Sequence, residues 1–238
     1  IVGVSITGLF DFFVELFGVD WLLWWKAGRP KFYQKLKSET IRSWQKTMPE
    51  PVVQLINDWD NYQGKFNVQK ENDGDDLLFK AIEQWYLEFW RDTATNAVWN
   101  YCDSHNLRRP NRCTTVQPAG SKSLLTGASC GYHPPKAIRY IRRITFSKND
   151  PIAKACIDYG YTIVPAQKDT DLEGRLLDDP FDPRCTEWLV EIPVEIKWAS
   201  IADGFDIDPN QFSAEAQFDW FMQVQTYYSA HNTSSTIE

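Results

Sequence analysis

Two periods of apolar and polar positions run along this chain, and the changes between them mark its elements. Ile1–Ile6 is a short β-branched run, Thr7-Gly8 a turn, and Leu9–Trp25 a stretch of helical period ended by Gly28-Arg29-Pro30. Lys31–Lys46 reads as a basic amphipathic face broken by Pro49 and Pro51, and Asn57–Asp76 as a polar surface excursion. Leu78, Ile82, Trp85, Phe89, Thr93 and Val98 fall close to one face of a long helix over Leu77–Cys102, with Asp75 or Asp76 as its cap. Lys136–Thr145 includes a strand, Asp150–Tyr159 is a helix ended by Gly160, and Thr162–Pro165 is a short apolar run. The acidic, proline-rich Asp169–Arg184 predicts a loop, and the alternation over Trp188–Ile196 a strand. Ser213–Ser229 reads as a helix capped by Ser213, with Phe218, Phe221, Met222 and Gln225 along it. Strands alternating with helices point to an α/β class. No repeat or low-complexity linker divides the 238 residues, a length suited to one large domain or two small ones.

Composition narrows the partners. Hydrophobic content of 43% and charged content of 24% are those of an ordinary globular protein. Aromatics reach 15%, with eleven Trp, and the helical spacing of Trp21, Trp24 and Trp25 places them in a core. The competing reading, a glycan-binding surface, predicts Trp fluorescence that responds to sugar. A net charge of −7 argues against a nucleic-acid backbone as partner but leaves a metabolite phosphate open. Five cysteines, an odd count with no signal peptide, favour a reducing cytoplasm. Ile1–Phe17 is apolar, yet Asp11, Glu15 and two glycines make it too polar and too short for a membrane span. The chain starts inside one apparent strand and stops at Glu238 inside another, so a segment of a longer protein is expected.

The candidate chemistry lies at Thr114–Gly127. A β-branched run leads into Pro118-Ala119-Gly120-Ser121-Lys122-Ser123 and the start of a helix. Unsatisfied N–H groups and a partial positive charge at a helix start suit phosphate. Ser121 and Ser123 add hydroxyls, and Lys122 a full charge or a merely solvated side chain. The order Gly-Ser-Lys-Ser, with no glycine five positions before Gly120, is not a Walker A loop.

The run from Thr114 to Arg143, including Gly131-Tyr132-His133-Pro134-Pro135 and Tyr140-Ile141-Arg142-Arg143, resembles the adenosylcobalamin-dependent (class II) ribonucleotide reductases, especially the monomeric triphosphate-reducing type. Ile1–Asp11 looks like that family's glycine-punctuated barrel strand with its following helix, and His231–Ile237 like the strand-entry motif near the barrel's end. The resemblance implies roughly the second half of a ten-stranded α/β barrel, with a helical and polar excursion around residues 30–75. It implies that residues 118–123 hold the phosphates of a ribonucleoside triphosphate. It further implies a parent enzyme that makes deoxyribonucleotides for DNA synthesis with adenosylcobalamin and a thioredoxin-type reductant, this chain joining the rest of the reductase. Ala119 departs from the family's usual hydroxyl at that position. The family's radical cysteine sits in an Asn-x-Cys-x-Glu loop that no cysteine here matches, so catalytic residues are expected elsewhere and the segment alone is expected to be inactive.

Other constellations compete. Cys102-x-x-His105 and Cys130-x-x-His133 have the ligand types of a structural zinc site, with Cys113 nearby. Glu187, Glu191 and Glu195 lie in or beside a strand, Glu191 and Glu195 on one face, a pattern more often solvated than catalytic. His105, His133 and His231 leave a Ser-His-Asp triad open, but no nucleophile elbow supports it. Against the enzyme reading stands a non-catalytic nucleotide-binding or structural fragment of a split or degenerate enzyme.

Overall fold

The apolar stretch after Gly8 forms two helices rather than one. In the computed structural model, α1 spans Leu9–Phe17 and α2 Val19–Lys26, with Gly18 between them at φ 72°, ψ −154°. That backbone conformation is open to glycine and closed to other residues, so the helical period continues while the axis breaks. The structure describes residues 2–30, 38–59, 76–117, 119, 123, 126–233, 235 and 237. Two units divide it: Ile1–Ala137 with Ile196–Glu238, and Ile138–Glu195.

In the first unit, β1 (Val4–Ser5) pairs in parallel with β2 (Thr114–Thr115), Val4 facing Thr114 and Ser5 facing Thr115. Gly3 permits the approach, since a Cβ there would stand 2.9 Å from the Thr115 methyl. The excursion around residues 30–75 contains α3 (Ser38–Thr47) and α4 (Glu50–Asn57). Pro49 and Pro51 begin α4 instead of ending structure: Pro49 is its cap and Pro51 lies in its first turn, where no N–H is needed. Residues 31–37 and 60–75, with the proposed Asp75 cap, lie outside the described residues.

α5 (Asp76–Ser104) is the long helix the periodicity predicts, extended by three residues over the expected bounds. Its first half buries Leu78, Phe79, Ile82, Tyr86 and Leu87, whereas Phe89, placed on the buried stripe by its spacing, is 50% exposed. The segment after the second unit carries α6 (Ala199–Gly204), a 3₁₀ turn (Pro209–Gln211) and α7 (Ala214–Tyr227). Ser213 caps α7 as expected, accepting from the Ala216 N–H.

The core of this unit is aromatic. Phe10, Phe13, Trp21, Trp25 and Trp220 are fully buried, with tilted and edge-on rings such as Phe13 against Trp220 at 5.6 Å. Beside them Arg29, read in the sequence only as part of a helix terminator, is a buried hub. It binds Glu83 through both carboxylate oxygens, donates to Asp219 and Gln223, and lies 4.3 Å from the Trp24 ring. Burial opposes its charge, but Glu83 and Asp219 outweigh that and raise its pKa.

The second unit is a sheet of order β3–β5–β4, all antiparallel: β3 (Arg139–Ser147), β4 (Thr162–Pro165) and β5 (Glu187–Glu195). The helix α8 (Pro151–Asp158, between β3 and β4) is capped by Asp150, and its Ala153 joins Trp188, Val190, Leu177 and Cys185 in a small core. On the other face, Arg139 pairs with Glu195 and Arg143 with Glu191, directly across β3 and β5, while Lys168 pairs with Glu187. The three glutamates therefore form a solvated ion-pair face. Asp169–Arg184 is the expected loop, held by Asp171, Asp179 and Asp182 accepting backbone N–H groups two residues ahead.

The α/β expectation agrees with this mixture. A ten-stranded barrel is not seen: the strands among the described residues are one parallel pair and one antiparallel sheet. His231–Thr233 has no strand pairing of its own, and Ser234, Thr236 and Glu238 lie outside the described residues.

Candidate functional site

Segments far apart in sequence meet around Ser129-Cys130-Gly131. The Thr7 hydroxyl donates to the Ser129 carbonyl and accepts from the Gly131 N–H, both at 3.1 Å. The N–H groups of Gly8 and Leu9 donate to the carbonyls of Ser129 (3.0 Å) and Gly131 (3.1 Å). Gly8 makes this turn because it sits at φ 74°, and a Cβ there would come within 2.9 Å of the Ala128 methyl. Asp11, in the first turn of α1, is buried and accepts from the Ser129 N–H at 2.6 Å and from the Trp198 indole at 3.0 Å. Gly131, at φ 56°, stands close to the Gln117 carbonyl, which an added Cβ would approach to a tight 3.2 Å in a backbone conformation that favours glycine.

Of the predicted phosphate turn, Pro118, Gly120, Ser121 and Lys122 lie outside the described residues; Ala119 and Ser123 are placed. Ala119 is buried in a left-handed conformation, φ 49°, which suits a tight turn and is uncommon for alanine. Ser123 is fully buried. Its N–H donates to the Ala119 carbonyl at 3.0 Å, and its carbonyl accepts from Ala128 N–H and the Thr126 hydroxyl. Its own hydroxyl meets Cys130 Sγ at 3.2 Å. Ser123 thus braces the turn from within, and its hydroxyl faces a thiol.

The residues just before the third block adjoin β1 and β2. The Thr114 hydroxyl donates to the Tyr228 carbonyl, Ala230 N–H donates to the Thr114 carbonyl, and the Tyr228 hydroxyl donates to the Val4 carbonyl. Burial pushes the Tyr228 phenol up to about 12. Thr233 is held by the Gln225 side chain through its N–H and hydroxyl. Among the described residues the buried Tyr132 hydroxyl has no partner in hydrogen-bond geometry; burial pushes its phenol up, while the nearby Ser235 and Thr233 pull the other way. Its carbonyl accepts from the Trp220 indole at 2.7 Å.

The two Cys-x-x-His pairs do different work. His105 folds back on its own helix, its ring against Tyr101 at 4.1 Å, and Cys130 faces Ser123. Among the described residues no three of His, Cys, Asp and Glu converge as metal ligands. Sequence reasoning passed over Asp11, counted only as a polar residue, and Thr7, counted only as a turn. The available signal was an acid in the first turn of an otherwise apolar helix, immediately after Thr-Gly.

No family model matches this chain. Curated proteins do. Over 163 residues it is 28% identical to the adenosylcobalamin-dependent ribonucleoside-triphosphate reductase of Lactobacillus gasseri, covering 68% of this chain and 19% of that protein. Over 145 residues it is 29% identical to the enzyme of the same name from Lacticaseibacillus paracasei, covering 61% and 17%. A 59-residue stretch is 34% identical to the Euglena gracilis enzyme, covering 25% and 8%. Among solved structures, a B12-dependent (class II) ribonucleotide reductase aligns with a TM-score of 0.47 at 24% identity, covering 65% of this chain and 19% of that one. The chain is therefore similar over part of its length to adenosylcobalamin-dependent ribonucleoside-triphosphate reductases, and spans about a fifth or less of them. Among the described residues no helix is long and apolar enough to cross a membrane.

Proposed function

We propose that this chain is a piece, roughly the second half, of the catalytic barrel of an adenosylcobalamin-dependent ribonucleoside-triphosphate reductase, and that the turn over residues 118–123 holds the substrate's phosphates, mostly through backbone N–H groups, with Ser123 bracing the turn from within and not itself donating to them. The observation that carries the reading is that the first two motif blocks bond to each other, beside the β1–β2 pair whose second strand leads into the turn. Thr7 and Asp11 hold the Ser129–Gly131 return, Tyr228, just before the third block, bonds to Thr114 and Val4 of the β1–β2 pair, and Thr233 and Ser235 of that block lie near the Tyr132 hydroxyl. Similarity over 163 residues to a triphosphate reductase supports it independently.

In the parent enzyme adenosylcobalamin would supply the initiating radical, and a thioredoxin-type protein the electrons. The cysteines of this chain do not fit the redox part of that chemistry. Cys102, Cys113 and Cys185 are buried, burial pushes the Cys185 thiol up, Cys130 is turned to Ser123, and the half-buried Cys156 packs against the small core of the second unit. No redox step is assigned to them. The chain's own work is to bind and orient.

Titration with a nucleoside triphosphate, followed by calorimetry, tests the reading. Binding that Gly120→Val weakens at least tenfold is the expected result, because a side chain there blocks close approach of a phosphate. Triphosphate binding that is absent, or unchanged in the variant, refutes it. The chain by itself should show no reductase activity.

A further inference from the structure

We infer that the outer edge of β3 is a strand-addition site for an extended, acidic peptide segment. The register of the sheet fixes which backbone groups are on offer there. One pair beyond the β3–β5 ladder, Lys148 N–H donates to the Thr186 carbonyl at 3.0 Å. Bonded and non-bonded pairs alternate along an antiparallel ladder. Tyr140, Arg142, Ile144 and Phe146 therefore turn their N–H and C=O groups to β5, while Ile141, Arg143 and Thr145 turn theirs outward. The partner strand agrees: Glu187, opposite Ser147, turns its carbonyl the other way and accepts from Ala166 N–H at 3.1 Å. Among the described residues no hydrogen bond reaches the outward groups of Ile141, Arg143 and Thr145.

The two edges of this sheet differ. β4 is four residues long and ends at Pro165, whereas β3 runs for nine residues in unbroken register, without proline, glycine or bulge. An unpaired edge is a template for a further strand, and shortness, proline and bulges are the usual protection against one. β3 has none of these, and its β-branched and aromatic residues favour an extended backbone. Its charges decide what it admits.

β3 carries Arg139, Arg142 and Arg143 and no acid; β5 carries Glu187, Glu191 and Glu195 and no base. On the solvated face Arg139 bonds Glu195 and Arg143 bonds Glu191, so a positive row stands between a negative row and the open edge. Arg143 reaches Glu191 through Nε and Nη2, and its Nη1 has no acceptor among the described residues. Opposite charges across neighbouring strands stabilise their pairing and like charges oppose it. An added strand that continues the alternation sets carboxylates beside Arg139 and Arg143. An apolar side chain then covers Ile141, which lies between them and is 56% exposed. The pattern is acid-x-apolar-x-acid: main-chain bonds supply affinity and alternate side chains supply specificity. A basic strand meets the arginine row and is refused.

The whole chain is titrated with the acetylated and amidated peptide Thr-Glu-Thr-Leu-Thr-Glu-Thr. Two controls accompany it: Thr-Lys-Thr-Leu-Thr-Lys-Thr, and the acidic peptide with every backbone nitrogen methylated. Amide exchange is read over residues 140–146, and sedimentation gives the mass. In the free chain the amides of Ile141, Arg143 and Thr145 should exchange faster than those of Tyr140, Arg142 and Ile144. The acidic peptide should slow the first three about tenfold or more and bind about tenfold or more tightly than the lysine peptide. Added salt should weaken it, and the methylated peptide should not bind. In Arg143→Gln the preference for acid over lysine should shrink, with exchange at Tyr140, Arg142 and Ile144 as in wild type. Equal binding of the acidic and lysine peptides, protection elsewhere in the chain, or no binding of the acidic peptide at millimolar concentration overturns the inference. So does a dimer that protects the same three amides without peptide, which assigns the edge to a second copy. None of these outcomes bears on the phosphate-binding reading.

Discussion

Arg29 is the residue whose removal should cost most. Its guanidinium and the Glu83 carboxylate are both wholly buried, so truncating one strands the other as an unpaired charge in a low-dielectric core. Arg29→Met is expected to destabilise by about 3–5 kcal/mol in chemical unfolding. The double variant Arg29→Met/Glu83→Leu is expected to recover much of that loss, because it leaves neither charge unpaired. Asp169 gives a second residue-scale expectation. Its carboxylate accepts from the Thr186 hydroxyl and from the N–H groups of Thr186 and Glu187, which lower its pKa from the model-peptide 3.8 to about 2 against the opposing effect of burial. A pKa depressed on folding contributes stability that is complete above the unfolded value and is lost as pH falls through the folded one. The second unit should therefore weaken between about pH 4 and pH 2, and Asp169→Asn should flatten that part of an acid titration followed by amide exchange at residues 185–190.

At the scale of elements, glycine conformation separates what the pattern shows from what the backbone does. The apolar period over Leu9–Trp25 is continuous, yet Gly18 divides it into α1 and α2. No atom lies within 4 Å of a Cβ built on Gly18, so Gly18→Ala tests backbone strain alone; a loss of about 1–3 kcal/mol in Tm-based stability is expected. Gly8→Ala adds a steric clash with Ala128 to a left-handed φ and should loosen the Ser129–Gly131 loop as well. Most elements were legible beforehand: the short apolar run Thr162–Pro165 forms β4, and the Ser213 cap is where the pattern put it. The errors have physical causes. Pro49 and Pro51 were read as breakers, but at the first turn of a helix proline is tolerated and here it starts α4. Phe89 fits the apolar stripe of α5 and is half exposed, because the far half of that helix has little packed against it.

For the whole molecule, the aromatic content is explained by packing. Every one of the eleven Trp residues is buried or half-buried, eight of them buried, so most of the indole surface is taken up in packing. Tryptophan emission is accordingly expected to be blue-shifted in the native chain and unmoved by added oligosaccharides; a sugar-dependent shift would revive the glycan reading. The chain's acidity argues against a nucleic-acid backbone as partner and leaves a small phosphorylated ligand open.

What the sequence by itself determined is the identity and order of the parts. Local period, caps and turn residues act over a few positions, so strands, helices and the three motif blocks can be read in place, and the similarity to triphosphate reductases follows from them. The tertiary structure decided which of those parts touch. Thr7 and Asp11 stand about 120 positions from the loop they hold, Arg29 is 54 from Glu83 and 190 from Asp219, and nothing in local pattern reports such pairings. Nor does it report burial. Ser123 carries the hydroxyl expected to face a phosphate, and only packing turned that hydroxyl inward onto Cys130, because a fully buried polar group must find its partner inside the protein.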